Sequence, residues 1–162
     1  MAREIVRPAW RPYTWDESPD WAIEPAHPIA TKMSETAEYP PLYLTGIEYF
    51  NSCDFFESHE AWEELWTEYQ GPSRKFYQGL IQAAVALHHF GNGNIRGARK
   101  LYFSTRGYLE PYLPQHMGLD LEKFLQEFKQ CFAEVTASQE DFPQIDIVPD
   151  LIPEIHLDPP AG

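Results

Sequence analysis

The sequence has only two cysteines, Cys53 and Cys131, and they do not form a C-x-x-C pair. So low a cysteine content is typical of a reduced, cytosolic compartment. Long apolar runs are also missing, because no window approaches the roughly 20 apolar residues that a membrane helix needs. The N-terminal residues M-A-R-E-I-V-R-P-A-W-R-P place charge and proline where a signal peptide needs an apolar run. We therefore expect a cytoplasmic protein that is neither secreted nor inserted in a membrane.

Basic residues are scarce as well. The chain has 12 Lys and Arg against 25 Asp and Glu, which gives a net charge of −13. Almost half of this excess lies in residues 138–162, which carry six acidic residues and no basic one. The negative net charge therefore reflects a solvated acidic tail more than an acidic core. Since affinity for phosphate backbones comes from clustered Lys and Arg, we expect no nucleic-acid partner.

Proline is rare only in the middle of the chain. Of the 15 prolines, seven lie at or before Pro41 and five at or after Pro143. Because proline interrupts helices, this distribution predicts an extended arm over residues 1–41, a helical domain over 42–137 and an extended acidic tail over 138–162. The arm carries three tryptophans, and we expect it to pack some of its aromatic side chains on the helical domain.

The central segment has the periodicity and the cap residues of helices, and no strand pattern competes. The fold class is therefore all-α, a compact multi-helical bundle of about five helices. Capping boxes are predicted at Thr45 with Glu48 and at Asp54 with Glu57. Single N-caps are predicted at Ser73, Asn94 and Asp120. The predicted helices end near Asn51, Tyr69, Phe90, Glu110 and Val135.

The second predicted helix reads F-F-E-S-H-E-A-W-E-E-L-W. At about 100° per residue, His59, Trp62 and Trp66 share one stripe that faces the core. Glu63 lies one turn after His59, so the two side chains can meet as an i,i+4 pair at the edge of the buried face. Glu57, Glu64 and Glu68 point to the opposite side and are interpreted as a solvated face.

The third predicted helix is apolar on most of its surface and should be the central helix of the bundle. Gln78, Gln82 and His89 share one stripe, whereas His88 lies on an otherwise apolar face. A buried imidazole or amide needs hydrogen-bond partners, and the second helix is the obvious supplier.

Two interpretations of these polar groups stay open. In the functional one, His59, Glu63, a glutamine and His88 converge in a small pocket, where the imidazole acts as a base or a metal ligand. In the structural one, the same groups form a polar network that fixes helix packing. The known metal patterns mostly fail: H-E-x-x-H lacks its second histidine, and the only E-x-x-H, at Glu24, lies in the arm. No cofactor is indicated, although His59, Glu63 and His88 are candidate ligands for a divalent metal.

A weaker candidate lies on the fourth predicted helix, where basic residues gather near a glycine-flanked N-terminus. Its amides could hold an anion. The alternative is that these residues pair with the acidic surface of the same or a second molecule. The residues are Arg96, Arg99, Lys100 and Arg106.

Three blocks, F-x-x-H-E-A-W-E-E-L-W, F-Y-Q-G-L-I-Q-A-A-V-A-L-H-H and G-N-x-R-G-A-R-K-L, occur in this order between about residues 49 and 132. Together they resemble the prokaryotic family named domain of unknown function 309. The resemblance implies a compact all-α bundle with no established activity, substrate or cofactor. It also implies recurrent polar positions at His59, Glu60, Glu63, Gln78 and His88.

Two hypotheses about function follow. The first is a helical module that binds a protein segment or a small polar ligand, with Trp62, Gln78 and Gln82 lining the site and a homo-oligomer or another protein as partner. The second is a metal-assisted or acid/base hydrolase-like enzyme that uses His59, Glu63 and His88, with Glu60 as an additional acid or base.

Overall fold

A computed structural model describes residues 39–159 of the chain. Within this range the backbone forms six α-helices, two 3₁₀ turns and one short hairpin. The α-helices are α1 (Pro41–Asn51), α2 (Phe55–Glu68), α3 (Arg74–Gly91), α4 (Ile95–Leu109), α5 (Leu121–Cys131) and α6 (Ala133–Ala137). The 3₁₀ turns are Glu110–Tyr112 and Pro149–Leu151, and the hairpin strands are β1 (Gln115–His116) and β2 (Leu119–Asp120). The predicted all-α class is confirmed. Most of the predicted arm lies outside the described residues.

Cap residues explain part of the helix boundaries. The side chains of Asn94 and Asp120 accept the first-turn amides of α4 and α5, as predicted. The predicted side-chain caps of Asp54 and Ser73 do not form, although α2 and α3 begin directly after them. The predicted box at Thr45 is wrong, because α1 begins at Pro41, whose fixed φ suits the first position of a helix.

Helix α3 is the centre of the bundle, as its apolar surface predicts. It packs against α2 on one side and α4 on the other. Helix α1 approaches α2 closely at Gly46, where a side chain would overlap the indole of Trp62. At the same place the Ser58 hydroxyl donates to Gly46 O at 2.8 Å, so a buried polar bond joins the two helices. This packing fixes α2, and with it the candidate site residues.

The hairpin was not predicted. Gln115 pairs with Asp120 and His116 with Leu119 in antiparallel register. Its two turn residues, Met117 and Gly118, both have positive φ, at 49° and 79°. This left-handed turn matches the twist of paired strands. Each strand has only two residues, which is too short for an alternating pattern to show in the sequence.

The fifth predicted helix is interrupted. Helix α5 ends at Cys131, and α6 starts after Phe132, whose ψ of 14° lies outside the helical range. The interruption keeps the side chains on both sides of it in the core. Phe128, Phe132 and Val135 are all fully buried.

The tail segment, residues 138–159, is mainly extended, as predicted, and packs on the helices. The Asn51 side chain donates to Ile155 O and accepts from Ile155 N, both at 2.8 Å. Further along, Asp158 N donates to Gly118 O at 2.8 Å. Because Ile155 is 1% exposed, its side chain belongs to the core of the protein. The tail segment is thus part of the fold.

Neither cysteine of the chain is in a disulfide: Cys53 is exposed and Cys131 is buried. Among the helices of residues 39–159, none combines the length and the apolar content needed to cross a bilayer.

Candidate functional site at helices α2 and α3

His59 is held inside α2 by its own helix. The residue is 5% exposed, and its Nδ1 lies 3.1 Å from the backbone oxygen of Phe56. A carbonyl oxygen can only accept, so Nδ1 carries a proton and donates in this bond. The remaining ring nitrogen, Nε2, therefore faces the partner on the other side of the ring.

That partner is Glu63, as the i,i+4 spacing predicts. Nε2 of His59 lies 3.3 Å from Oε1 of Glu63, whose side chain is 32% exposed. The histidine of this pair is therefore buried, whereas its glutamate keeps one edge open to solvent.

Aromatic rings connect this pair to the end of α3. The ring of Phe56, which is partly buried, has its centroid 5.3 Å from that of His59 and 5.8 Å from that of His88. The ring of His88 in turn lies 6.2 Å from that of His89. His88 and His89 also contact the side chains of Asn92 and Asn94, at 3.2 and 3.3 Å. We use the name ring row for Phe56, His59, His88 and His89.

One residue of the ring row, His89, has a lowered pKa. Burial, followed by the charge of the adjacent His88, lowers the pKa of His89 to about 4. His89 is therefore neutral at physiological pH.

The candidate metal ligands His59, Glu63 and His88 do not form a single cluster among the described residues. No group of three or more His, Cys, Asp or Glu side chains within residues 39–159 is arranged to hold a metal ion. Both His59 and His88 pack against the ring of Phe56. The structure therefore brings His59 and Glu63 together as a pair and places His88 in the ring row.

The three residues predicted to bind a ligand lie in the interior. Trp62 is 0% exposed, and its Nε1 donates to Tyr43 O at 3.1 Å. Gln78 is 8% exposed and donates to the Tyr108 hydroxyl at 3.2 Å. Gln82 is 0% exposed and faces no hydrogen-bond partner among the described residues. These side chains are part of the interior of the bundle, whereas Glu60, next to His59 in the sequence, is exposed.

Most of the basic residues predicted to form an anion site make contacts with other parts of the same molecule. Arg99 donates to Val135 O at 3.1 Å, and Arg106 pairs with Glu110 at 2.9 Å. The guanidinium of Arg96 lies 5.6 Å from the centre of the Phe142 ring. Among these three contacts, the one between Arg106 and Glu110 is with an acidic side chain, as the alternative of pairing with acidic residues expects.

Sequence reasoning missed two features. Phe56 was assigned no role, although its i,i+3 spacing from His59 is visible in the sequence. The second feature is a bond between the Ser73 hydroxyl and Nε2 of His116, 2.7 Å apart and separated by 43 residues. No sequence signal connects these two residues, because the hairpin that carries His116 was not predicted.

The described residues thus define an all-α domain whose second helix carries a histidine–glutamate pair. The histidine of this pair is buried and its glutamate is partly exposed. The model of the family described as domain of unknown function DUF309 matches residues 43–101. Residues 43–101 are thus similar to this family, and the predicted resemblance is confirmed. The matched range contains the pair and the whole ring row, but it ends before His116.

Two uncharacterized bacterial proteins are similar to parts of this chain. The chain is 33% identical over 101 residues to the uncharacterized protein YpuF of Bacillus subtilis, a match that covers 60% of this chain and 58% of YpuF. It is 46% identical over 46 residues to an uncharacterized protein of Aquifex aeolicus, covering 28% of this chain and 14% of that protein. The chain therefore spans little more than half of the first relative and a small part of the second.

Proposed function

We propose that the protein is a helical binding module of the cytoplasm whose ligand contacts the His59–Glu63 pair. The observation that carries the proposal is the difference in burial within the pair, since His59 is enclosed while the Glu63 side chain is 32% exposed. A carboxylate held by a buried imidazole keeps a fixed orientation. Its exposed edge can accept hydrogen bonds from a ligand without first losing conformational entropy.

The surroundings of the pair indicate the chemistry of the ligand. Glu60 is exposed next to His59 in the sequence, and α2 contains no lysine or arginine. The partly buried ring of Phe56 adds an apolar surface next to the His59 ring of the pair. We infer a ligand with N–H donors and a short apolar part. A protein segment containing a lysine or arginine fits this description, as does a small protonated amine.

The proposed partner is a segment of another protein or of a second copy of this chain. Size-exclusion chromatography with light scattering distinguishes these two cases. None of the described contacts favours the hydrolase-like alternative over binding.

The experiment is an NMR titration of the full chain with a short lysine-containing peptide, with N-acetylated lysine amide as a smaller probe. We expect shift changes in the His59 ring signals and in the amides of α2 near Glu63. Glu63→Gln should abolish these changes, because it removes the charge while keeping the shape. Glu64→Gln is the matched control and should keep them.

Thermal unfolding separates binding from packing. Glu63→Gln should cost less than about 1 kcal/mol, since the pair is partly exposed and screened. A large loss of stability in Glu63→Gln, or peptide-induced shifts that survive this substitution, would show that the pair only fixes helix packing.

A further inference from the structure

Ser73 and His116 form a second pair of reactive side chains, distant in sequence from the first. The Ser73 hydroxyl oxygen lies 2.7 Å from Nε2 of His116. Ser73 occupies the position directly before α3, where a serine normally caps the helix, yet its side chain makes no capping bond. The hydroxyl is directed at the imidazole instead. A serine within hydrogen-bond reach of a histidine nitrogen is the basic unit of nucleophilic serine sites.

The surroundings of His116 suit a proton acceptor. The rings of Phe76 and Tyr112 pack against the imidazole, with centroid distances of 4.7 and 4.6 Å. This burial lowers the pKa of His116. The imidazole is therefore neutral at physiological pH, and a neutral ring with its proton on Nδ1 presents a lone pair at Nε2 to the serine.

The helix that follows Ser73 supplies electrostatic stabilisation. Helix α3 has 18 residues, and its N-terminal amides point toward the end where Ser73 lies. The first-turn amides of Lys75 and Phe76 have no acceptor within the helix because of their position. Amides of this kind stabilise the negative oxygen that forms when a hydroxyl attacks a carbonyl.

We propose that Ser73 and His116 act as nucleophile and general base in transferring an acyl group from a small ester to water. The Ser73 oxygen attacks the ester carbonyl, and its proton moves to Nε2 of His116. The bond to the alcohol oxygen then breaks, and this oxygen takes the proton from His116, which leaves an acyl group on Ser73. Water attacks the acyl carbon, loses a proton to His116, and Ser73 recovers that proton as the acid departs. No other reactant is needed.

The size of the proposed substrate depends on how far Ser73 and His116 are exposed to solvent. Ser73 is 7% exposed, and His116 is only partly exposed. We therefore infer a substrate with a short acyl group. This site is separate from the proposed ligand site, and neither proposal depends on the other.

The test treats the full chain with a small dialkyl fluorophosphonate and with p-nitrophenyl acetate. Peptide mass spectrometry should find the adduct on Ser73, and ester hydrolysis should exceed that of Ser73→Ala. His116→Gln should slow the labelling by at least about 100-fold, the usual contribution of a general base. Ser52→Ala and His156→Gln are matched controls, because both residues are exposed and neither is part of this pair, and they should label as the unaltered chain does.

Two results would overturn the proposal. One is the absence of an adduct on Ser73 of the unaltered, folded chain after prolonged reaction, which decides the matter even if His116→Gln fails to fold. The other is labelling at the same rate in folded His116→Gln. Either would show that the bond only joins the hairpin to α3.

Discussion

Replacing Gly46 with alanine should destabilise the protein, because α1 and α2 are in closest contact there. The added Cβ would overlap the pyrrole part of the Trp62 indole. Trp62 is fully buried, and its Nε1 donates to Tyr43 O at 3.1 Å. The ring therefore cannot move away from the new atom without disturbing both the core and this hydrogen bond.

The magnitude follows from three contributions. Alanine is favoured over glycine within a helix by about 0.5–1 kcal/mol. Overpacking a well-filled core costs about 1–3 kcal/mol. Weakening the bond of a buried N–H adds about 1–3 kcal/mol. The two penalties exceed the helix propensity gain, so we expect a net loss of about 1–5 kcal/mol in the free energy of unfolding.

Urea unfolding followed by circular dichroism measures this loss. Gly107→Ala is the matched control, since Gly107 is exposed in α4 and a Cβ there meets nothing within 4 Å. It should stabilise the protein by about 0.5–1 kcal/mol. In a Trp62→Phe background, Gly46→Ala should cost at least about 1 kcal/mol less, because the smaller ring relieves the overlap. The reasoning is refuted if Gly46→Ala stabilises like Gly107→Ala, or if its cost is the same in both backgrounds.

Three further predictions concern other parts of the molecule. Asn51→Ala removes two hydrogen bonds of 2.8 Å to the tail segment. It should cost about 1–3 kcal/mol in urea unfolding and speed limited proteolysis of that segment; unchanged proteolysis would contradict this. The pKa of His89, lowered to about 4 from 6.5 by burial and then by His88, means that the unfolded chain takes up a proton that the folded chain does not. The contribution of neutral His89 to the free energy of unfolding should therefore be fully present above pH 6.5 and fall by up to about 3 kcal/mol toward pH 4. Unfolding curves of His89→Gln should show a weaker pH dependence, and an unchanged dependence would contradict this prediction. Cys53 is exposed, whereas burial raises the pKa of Cys131 to about 12; Ellman's reagent should react with Cys53 in the native protein and with both thiols only after unfolding, and equal native rates would contradict this.

The helices α2, α3 and α4 could be predicted to within one residue at each end. Polar residues precede each of them, and glycine, proline or asparagine interrupts the chain between them. These signals are local, so they need no knowledge of the tertiary structure. The same signals did not reveal that Ser73 bonds to a distant histidine instead of its own helix, because that choice depends on what packs beside it.

In the candidate site, too, the contacts within one helix could be predicted from the sequence, whereas the contacts between helices could not. The contact between His59 and Glu63 follows from the geometry of a single helix, so spacing alone predicts it. The position of His88 depends on how α3 lies against α2, which periodicity does not define. The interior location of Gln82 likewise depends on how other helices pack around α3, which periodicity does not define.

The two ends of the described chain meet. The Tyr39 hydroxyl donates to Asp158 O at 2.8 Å, across 119 positions of sequence. A stretching force applied at these two residues would act first on the tail segment, pulling its hydrogen bonds apart one after another. The helices would carry the load only after Ile155 had left the core. The domain should therefore extend in two steps in a single-molecule pulling experiment, with the tail segment released at the lower force.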